Sequence, residues 1–288
     1  MMVDIPTLVR AMPTLYIVAT PIGNLEDITL RAIRVLGEVG LIAAEDTRVT
    51  RKLLQRYDIH TPLTSYHEHN RHSKLPVLLD ALSKKDVALV SDAGMPGIND
   101  PGDELVCAAA KAGVPVVPIP GPSAVTSAIA ASGLPVEGFV YLGFLPRRRI
   151  DRRRLLESLA DEKRALLAFE TPHRLRASLE DLAQIIGDRR VAVCRELTKL
   201  HEEIFRGLLS EALAHFTSPR GEFTLVIEGN TSPGATVAPE AETRELIAGL
   251  RKEGLGAREA VARVVAQCGL SRRAAYRLWL ETKAEGVQ

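Results

Sequence analysis

Residues 87–103 read VALVSDAGMPGINDPGD, and this stretch sets the reading of the whole chain. An apolar run, VALV (87–90), ends in Ser91-Asp92-Ala93-Gly94. Pro96, Gly97, Pro101 and Gly102 follow, and DELVCAAAKAG (103–113) then shows helical spacing stopped by Gly113. A short apolar run bounded by turn residues is a buried strand. The unit is therefore strand, long polar loop, helix.

The same alternation extends outward. TLYIVAT (14–20) is a strand, ITLRAIRVLGEVG (28–40) a helix and LIAA (41–44) a strand. VPVVPI (114–119) is a strand whose prolines indicate an edge or an irregular path, and SAVTSAIAASG (123–133) is a helix stopped by Gly133. This βαβα order predicts a largely parallel sheet covered by helices. LPVEG (134–138) reads as a linker. A second set follows: strands over 139–145, 165–170, 190–197 and 222–229, helices over 153–160 and 173–187. Late hairpin-like spacing predicts a mixed sheet there. NTSPGATVAPEAE (230–242) reads as a second linker, ahead of a helical tail to residue 288.

Composition bounds the class. A chain of 288 residues, 46% apolar and 25% charged, has the makeup of a globular protein with a sizeable core. No apolar run approaches the ~20 residues of a membrane span. The N-terminal residues carry Asp4 and lack a signal peptide's basic-then-apolar order, so a cytoplasmic location is expected. Three scattered cysteines, 107, 194 and 268, form no CxxC, which argues against disulfides or a cysteine-rich zinc site. Net charge is +1, but the basic residues cluster: RRRIDRRR fills 147–154, and 251–283 hold eight Lys/Arg against three Glu. Such clusters on a neutral chain fit local contact with phosphates, or simply a solvated surface.

In open α/β sheets ligands sit beyond the carboxyl ends of the strands. Here those ends read Thr20-Pro21-Ile22-Gly23-Asn24, Glu45-Asp46-Thr47-Arg48, the 91–102 loop, Pro120-Gly121-Pro122-Ser123-Ala124 and Thr171-Pro172-His173-Arg174. One such loop is explicable by helix capping; five at one sheet edge look like a site. No GxGxxG follows a strand and no GxxxxGK[ST] occurs, and the prolines remove backbone donors a phosphate would need. Backbone carbonyls, small residues and the Asp92 carboxylate suit a ligand with a cation, an amine or a ribose.

TPIGN, AEDTR, SDAGMPGINDPG, GPSA with SGLP, FETPHR and CRELTKLHEE resemble, in order, loops of the tetrapyrrole methylase superfamily. The resemblance is strongest to its bacterial branch that methylates the ribose 2'-hydroxyl of a cytidine in the decoding centre of 16S ribosomal RNA. It spans about residues 14–229, and the tail is similar too. Porphyrinoid and diphthamide members carry a Gly-Asp-Pro type loop where Asp92-Ala93-Gly94 stands here. The resemblance implies two α/β domains, 1–134 and 139–230, a helix-turn-helix-like tail, 240–288, and S-adenosylmethionine in the cleft between the two domains. It implies a homodimer acting on 16S ribosomal RNA or the small subunit. By the same carry-over Asp92 accepts from the donor's ribose or amino group. Ala93, Met95, Pro96 and Ile98 supply backbone contacts and an apolar wall, Ile22 lines the pocket, Ser123 and Ala124 meet the donor at a helix start, and Phe169 and Leu197 come from the second domain. Gly94 and Gly97 are expected to hold backbone angles other residues resist.

No catalytic base comes with these motifs. Glu196 is a candidate base or hydroxyl orienter with Lys199 as its electrostatic partner; a surface ion pair is the plain alternative, and Glu45 and Asp46 are rival bases. SYHEHNRH (65–72) contains His67-x-His69 but no clear third ligand, so no metal is expected. Arg48, His67, Asn70, His173 and Arg195 are the substrate-side candidates, Tyr66 is available to stack on a base, and the 147–154 arginines are placed to bind RNA backbone. Residues 257–280 resemble a helix-turn-helix with a turn at Gly269 and a cap at Ser271, presenting Arg272, Arg273 and Arg277. A packing or dimer element is equally consistent. Alone, the tail would fit a DNA-binding regulator; a tetrapyrrole or protein acceptor is the other alternative.

Overall fold

A computed structural model describes residues 12–99, 102–230, 240–253, 255–268 and 272–284. The turn residues Gly269 and Ser271, the N-terminal Asp4 and Pro101 lie outside them. The chain divides into two compact units, 1–229 and 230–288.

The first unit begins β1 (Leu15–Val18), α1 (Leu30–Glu38), β2 (Leu41–Ala44), α2 (Thr47–Arg56), β3 (Leu63–Ser65), α3 (Arg71–Leu82), β4 (Val87–Val90), α4 (Asp103–Lys111), β5 (Val116–Ile119) and α5 (Ala124–Ser132). Its strands form one parallel sheet in the order β3-β2-β4-β1-β5. The proline-bearing β5 is an edge strand, as its sequence predicts. VALV sits near the middle and alternates between two cores. Ala88 and Val90 pack with α1 and α2, while Val87 and Leu89 pack with α3 and α4. Burial on both faces is why the run is continuously apolar.

The second sheet comprises β6 (Phe139–Phe144), β7 (Ala165–Glu170), β8 (Arg190–Arg195), β9 (Glu203–Leu208) and β10 (Phe223–Ile227), ordered β6-β7-β10-β8-β9. Only β6 and β7 pair in parallel, so the sheet is mixed as expected. Helices α6 (Arg149–Ser158), α7 (Pro172–Ile186) and α8 (Leu209–His215) cover one face. The other face receives α5: Ala128, Val125 and Ile129 pack against Leu167, Ala192 and Val226. The last helix of the first half is thereby packed on the second sheet, and this contact joins the two halves.

The second unit holds α9 (Glu240–Lys252), α10 (Ala257–Cys268) and α11 (Arg272–Ala284). Ile247, Leu250, Val261, Val264, Ala275 and Leu278 form its core, and Arg251 stacks on Trp279 with its guanidinium carbon 4.0 Å from the ring centre.

Candidate functional site

The loops beyond β1 and β4 are tied together. Thr20 N donates to Gly94 O and Gly94 N to Thr20 O, both at 2.9 Å, and Thr20 Oγ1 donates to Ser91 O at 3.0 Å. The chain reverses through Gly94 and Gly97, at φ +80° and +85°, a region costly for residues with a Cβ. The loop after β2 joins the same frame: Asp46 N donates to Asp92 Oδ1 at 2.9 Å, and Asp92 N donates to Glu45 Oε2 at 3.2 Å.

The second sheet closes the frame through the loop after β8. Asn24 N donates to Thr198 Oγ1 at 3.0 Å. A Cβ on Gly23 would meet Lys199 Cγ at 2.5 Å, so only glycine lets the two loops approach this closely. Glu196 and Thr198 sit at φ +49° and +66°, flanking Leu197. Such backbone costs on the order of 1–3 kcal/mol each and persists only where surrounding bonds fix it. Here they do: Glu196 Oε1 accepts from Lys199 Nζ and from Glu222 N, each at 2.9 Å, and Glu202 Oε2 accepts from Thr198 N at 2.5 Å.

Between the two sheets lies a cavity of about 350 Å3, within the ~300–1,000 Å3 of small-molecule pockets. Ile22, Ala93, Met95 and Ile98 line it from the first half, Ser123 and Ala124 from the start of α5, and Phe169 and Leu197 from the second half. Asp92 and Glu45 line it too. Pro96 is buried and contributes no surface to it. Phe144, Cys194 and Thr224 also line it, and sequence reasoning passed over them. The first ends a strand already recognised; the other two sit on adjacent strands and are revealed only by β8–β10 pairing. Phe169 makes edge-on contacts with Tyr141 and Phe144, at 5.5 and 5.6 Å between ring centres, which gives the cavity an aromatic wall.

The carboxylates differ in character. Burial, then the Asp92 and Asp46 charges, push the Glu45 pKa above its ordinary value against a hydrogen bond from Asp92 N. Burial and the Asp46 charge likewise raise Asp92. The Lys199 hydrogen bond holds Glu196 below its ordinary value. Burial opposes charge on Lys199, but bonds to Glu222 and Glu196 outweigh it and raise its pKa. Neither Glu196 nor Lys199 lines the cavity; their ion pair braces its rim, where Glu222 does. Burial pushes the Cys194 thiol up to about 11, so it stays protonated.

The substrate-side candidates lie outside the cavity lining. Arg48 is exposed and grips Asp46 through Nε and Nη2, holding that carboxyl at about 2. Asn70 ties its own loop, accepting from His67 N at 2.9 Å and donating to Ser65 Oγ at 3.0 Å. His67 stands near enough to Glu45 to oppose the rise in its pKa. His173 is exposed, with Nε2 3.4 Å from Thr171 Oγ1, and Arg195 pairs with Glu203 at 2.8 Å. Two expectations are corrected. Tyr66 is 1% exposed, packed in the core between α3 and α4, and is not free to stack on a base. The 147–154 arginines are not uniformly a solvated strip: the run starts α6, and Arg152 is buried on Asp181. Among the described residues no group of three His, Cys, Asp or Glu is placed to hold a metal ion.

This lining fits the expected donor. Apolar and aromatic walls match an adenosine, and Asp92 and Glu45 offer acceptors to hydroxyls or an ammonium.

Comparison with known proteins agrees. The model of the tetrapyrrole (corrin/porphyrin) methylases matches residues 14–213. A ribosomal RNA small subunit methyltransferase I from Halalkalibacterium halodurans is 48% identical over 92% of this chain and 94% of its own length. One from Synechocystis is 48% identical over 96% and 100%, and one from Vibrio cholerae 42% over 99% and 100%. In fold, cobalt precorrin-4 methyltransferase superposes with a TM-score of 0.57 at 19% identity, covering 74% of this chain and 94% of that one. A uroporphyrin-III C-methyltransferase of Thermus thermophilus gives 0.53 at 20%, covering 74% and 93%. The chain belongs to the tetrapyrrole methylase family, and within it to the ribosomal RNA small subunit methyltransferase I group.

Proposed function

We propose that this chain methylates the ribose 2'-hydroxyl of a cytidine in the decoding centre of 16S ribosomal RNA, with S-adenosylmethionine as donor. The observation that carries the reading is the cavity between the sheets, framed by the Thr20–Gly94 and Asp92–Asp46 bonds and walled by Phe169 and Leu197. The acceptor class is supported by relatives named for the small ribosomal subunit that align along nearly the whole chain. The likeness to tetrapyrrole enzymes near 20% identity speaks for the fold and leaves the acceptor to those relatives. Three working divisions follow, 1–134, 139–230 and 240–288, in a cytoplasmic homodimer.

When bound, S-adenosylmethionine supplies a methyl carbon already activated by its sulfonium. What the chain must add is position and a place for the hydroxyl proton. Asp92, Ile22, Ala93, Met95, Ile98, Ser123 and Ala124 hold the donor, with Pro96 supporting the loop from beneath. Phe169 and Leu197 close over it. Glu45 is the base the geometry favours, because it lines the cavity and binds a proton more firmly than an ordinary carboxylate. Glu196, held ionised, and Lys199, held as ammonium, act from the rim: their ion pair positions the loop that carries Leu197 and so orients the acceptor side of the cavity rather than touching the reacting hydroxyl. Arg48, His67, Asn70, His173 and Arg195 serve the RNA side. Purified protein should transfer labelled methyl to small subunits from a strain lacking this gene. Absence of label on both subunits and free 16S RNA would refute the reading.

A further inference from the structure

Asp181 of α7 is fully buried, yet three arginines of α6 converge on it. Arg152 donates to Oδ2 through Nε at 3.0 Å and Nη2 at 2.7 Å. Arg149 Nε and Arg153 Nη1 donate to Oδ1 at 3.1 and 2.9 Å. Arg152, 3% exposed, answers the burial of that carboxylate by itself. The other two guanidiniums are more than neutrality requires, and their side chains remain 63% and 35% exposed.

These two lie one helical turn apart and border a surface depression with Ile150, Arg154 and Glu157. Arg154 is exposed and has no ion-pair partner among the described residues. Four arginines against Asp181 and Glu157 leave a surplus of two positive charges on this face. Arg149 and Arg153 each engage Asp181 through one nitrogen, and a guanidinium has further N–H groups to offer outward. Arg153 also donates to Gln184 Oε1 at 3.0 Å, which fixes it further. Side chains already ordered lose little entropy when they grip a ligand.

The place of the cluster matters as much as its charge. Phe144, at the end of β6, lines the cavity, and α6 begins at Arg149. Five residues span at most ~18 Å even when fully extended. A strand with one ribose at the cavity therefore passes this face within a few nucleotides.

We propose that Arg149, Arg153 and Arg154 bind the phosphodiester backbone of the acceptor RNA beside the target nucleotide, with Asp181 as the buried anchor that holds two of them in place. The proposal rests on ribosomal RNA being the acceptor. Each phosphate contact adds about 0.7 to the slope of log affinity against log salt for a single strand.

The test is binding of the full-length protein to small subunits, and to free 16S RNA, across a salt series. Arg154→Gln touches no internal bond and should flatten the slope by about 0.7; Arg149→Gln with Arg154→Gln should flatten it by about 1.4. Arg154→Lys should restore most of the slope, because a phosphate contact needs the charge. S-adenosylmethionine affinity should stay at the wild-type value in all three. Wild-type slope and affinity in both glutamine variants, with wild-type protein binding RNA normally, would overturn this surface while leaving the methylation reading intact. Failure of the wild-type protein to bind either RNA would overturn both.

Discussion

Asp92 and Glu45 illustrate how single residues divide the work. Asp92 is fixed by Asp46 N and turns its remaining acceptor capacity toward the cavity. Asp92→Ala should weaken S-adenosylmethionine binding at least tenfold by calorimetric titration, and wild-type affinity would remove it from the donor site. Glu45 titrates above its ordinary value, because burial and its acidic neighbours disfavour its charge. A base acts when deprotonated, so single-turnover rate should rise with pH through that raised value and then level. Glu45→Gln should abolish this rise and lower the donor-saturated rate by about 100-fold or more. A retained pH limb in that variant would shift the role of base to another group. At this scale the sequence was readable wherever backbone chemistry forced the residue. Gly94 and Gly97 do hold the left-handed angles expected of them. Tyr66 was not readable: it follows a short strand among polar neighbours, and only the packing of Leu78 and Leu105 around it reveals its burial.

At the scale of elements, α6 and α7 show a cluster that serves stability first. Arg152 and Asp181 are both buried, and Asp181→Asn would leave the guanidinium without its counter-charge. A loss of about 3–5 kcal/mol is expected for such a break, or on the order of 10 °C in Tm. Burial alone would raise the Asp181 pKa, but the bonds from Arg152, Arg153 and Arg149 bring it below its ordinary value. Its stabilisation is therefore present above the unfolded carboxylate's pKa and is lost as pH falls through the folded one. The gap between wild type and Asp181→Asn, measured by thermal melts, should close in acid; a gap independent of pH would contradict the pairing. Elements buried on both faces coincide with their sequence boundaries: β2 and β4 are apolar throughout, and β7 is apolar up to its last residue, Glu170. The half-exposed ones escaped: β3 is short and polar, β9 alternates at an edge, and α3 carries Pro76 inside a weakly amphipathic helix. The arginine run hid the first turn of α6, since charge masks the helical period there.

For the whole molecule, the packing of α5 and Ile22 against the second sheet explains why two sheets present one cavity. The tail forms a separate compact unit with its own apolar core. Deleting 230–288 should leave donor affinity unchanged and weaken binding to small subunits; unchanged RNA affinity would exclude the tail from the interface. The loops that frame the cavity were legible as polar strand ends, but their mutual bonds come from strand order, which no local pattern encodes. The decisive measurement is the position of the transferred methyl. Small subunits from a strain lacking this gene are incubated with the protein and labelled S-adenosylmethionine, the RNA is digested, and the product is mapped by mass spectrometry. The account predicts label on the ribose 2'-oxygen of one cytidine in the decoding centre of 16S RNA. Label on a base, or on a nucleotide elsewhere in the subunit, would contradict it.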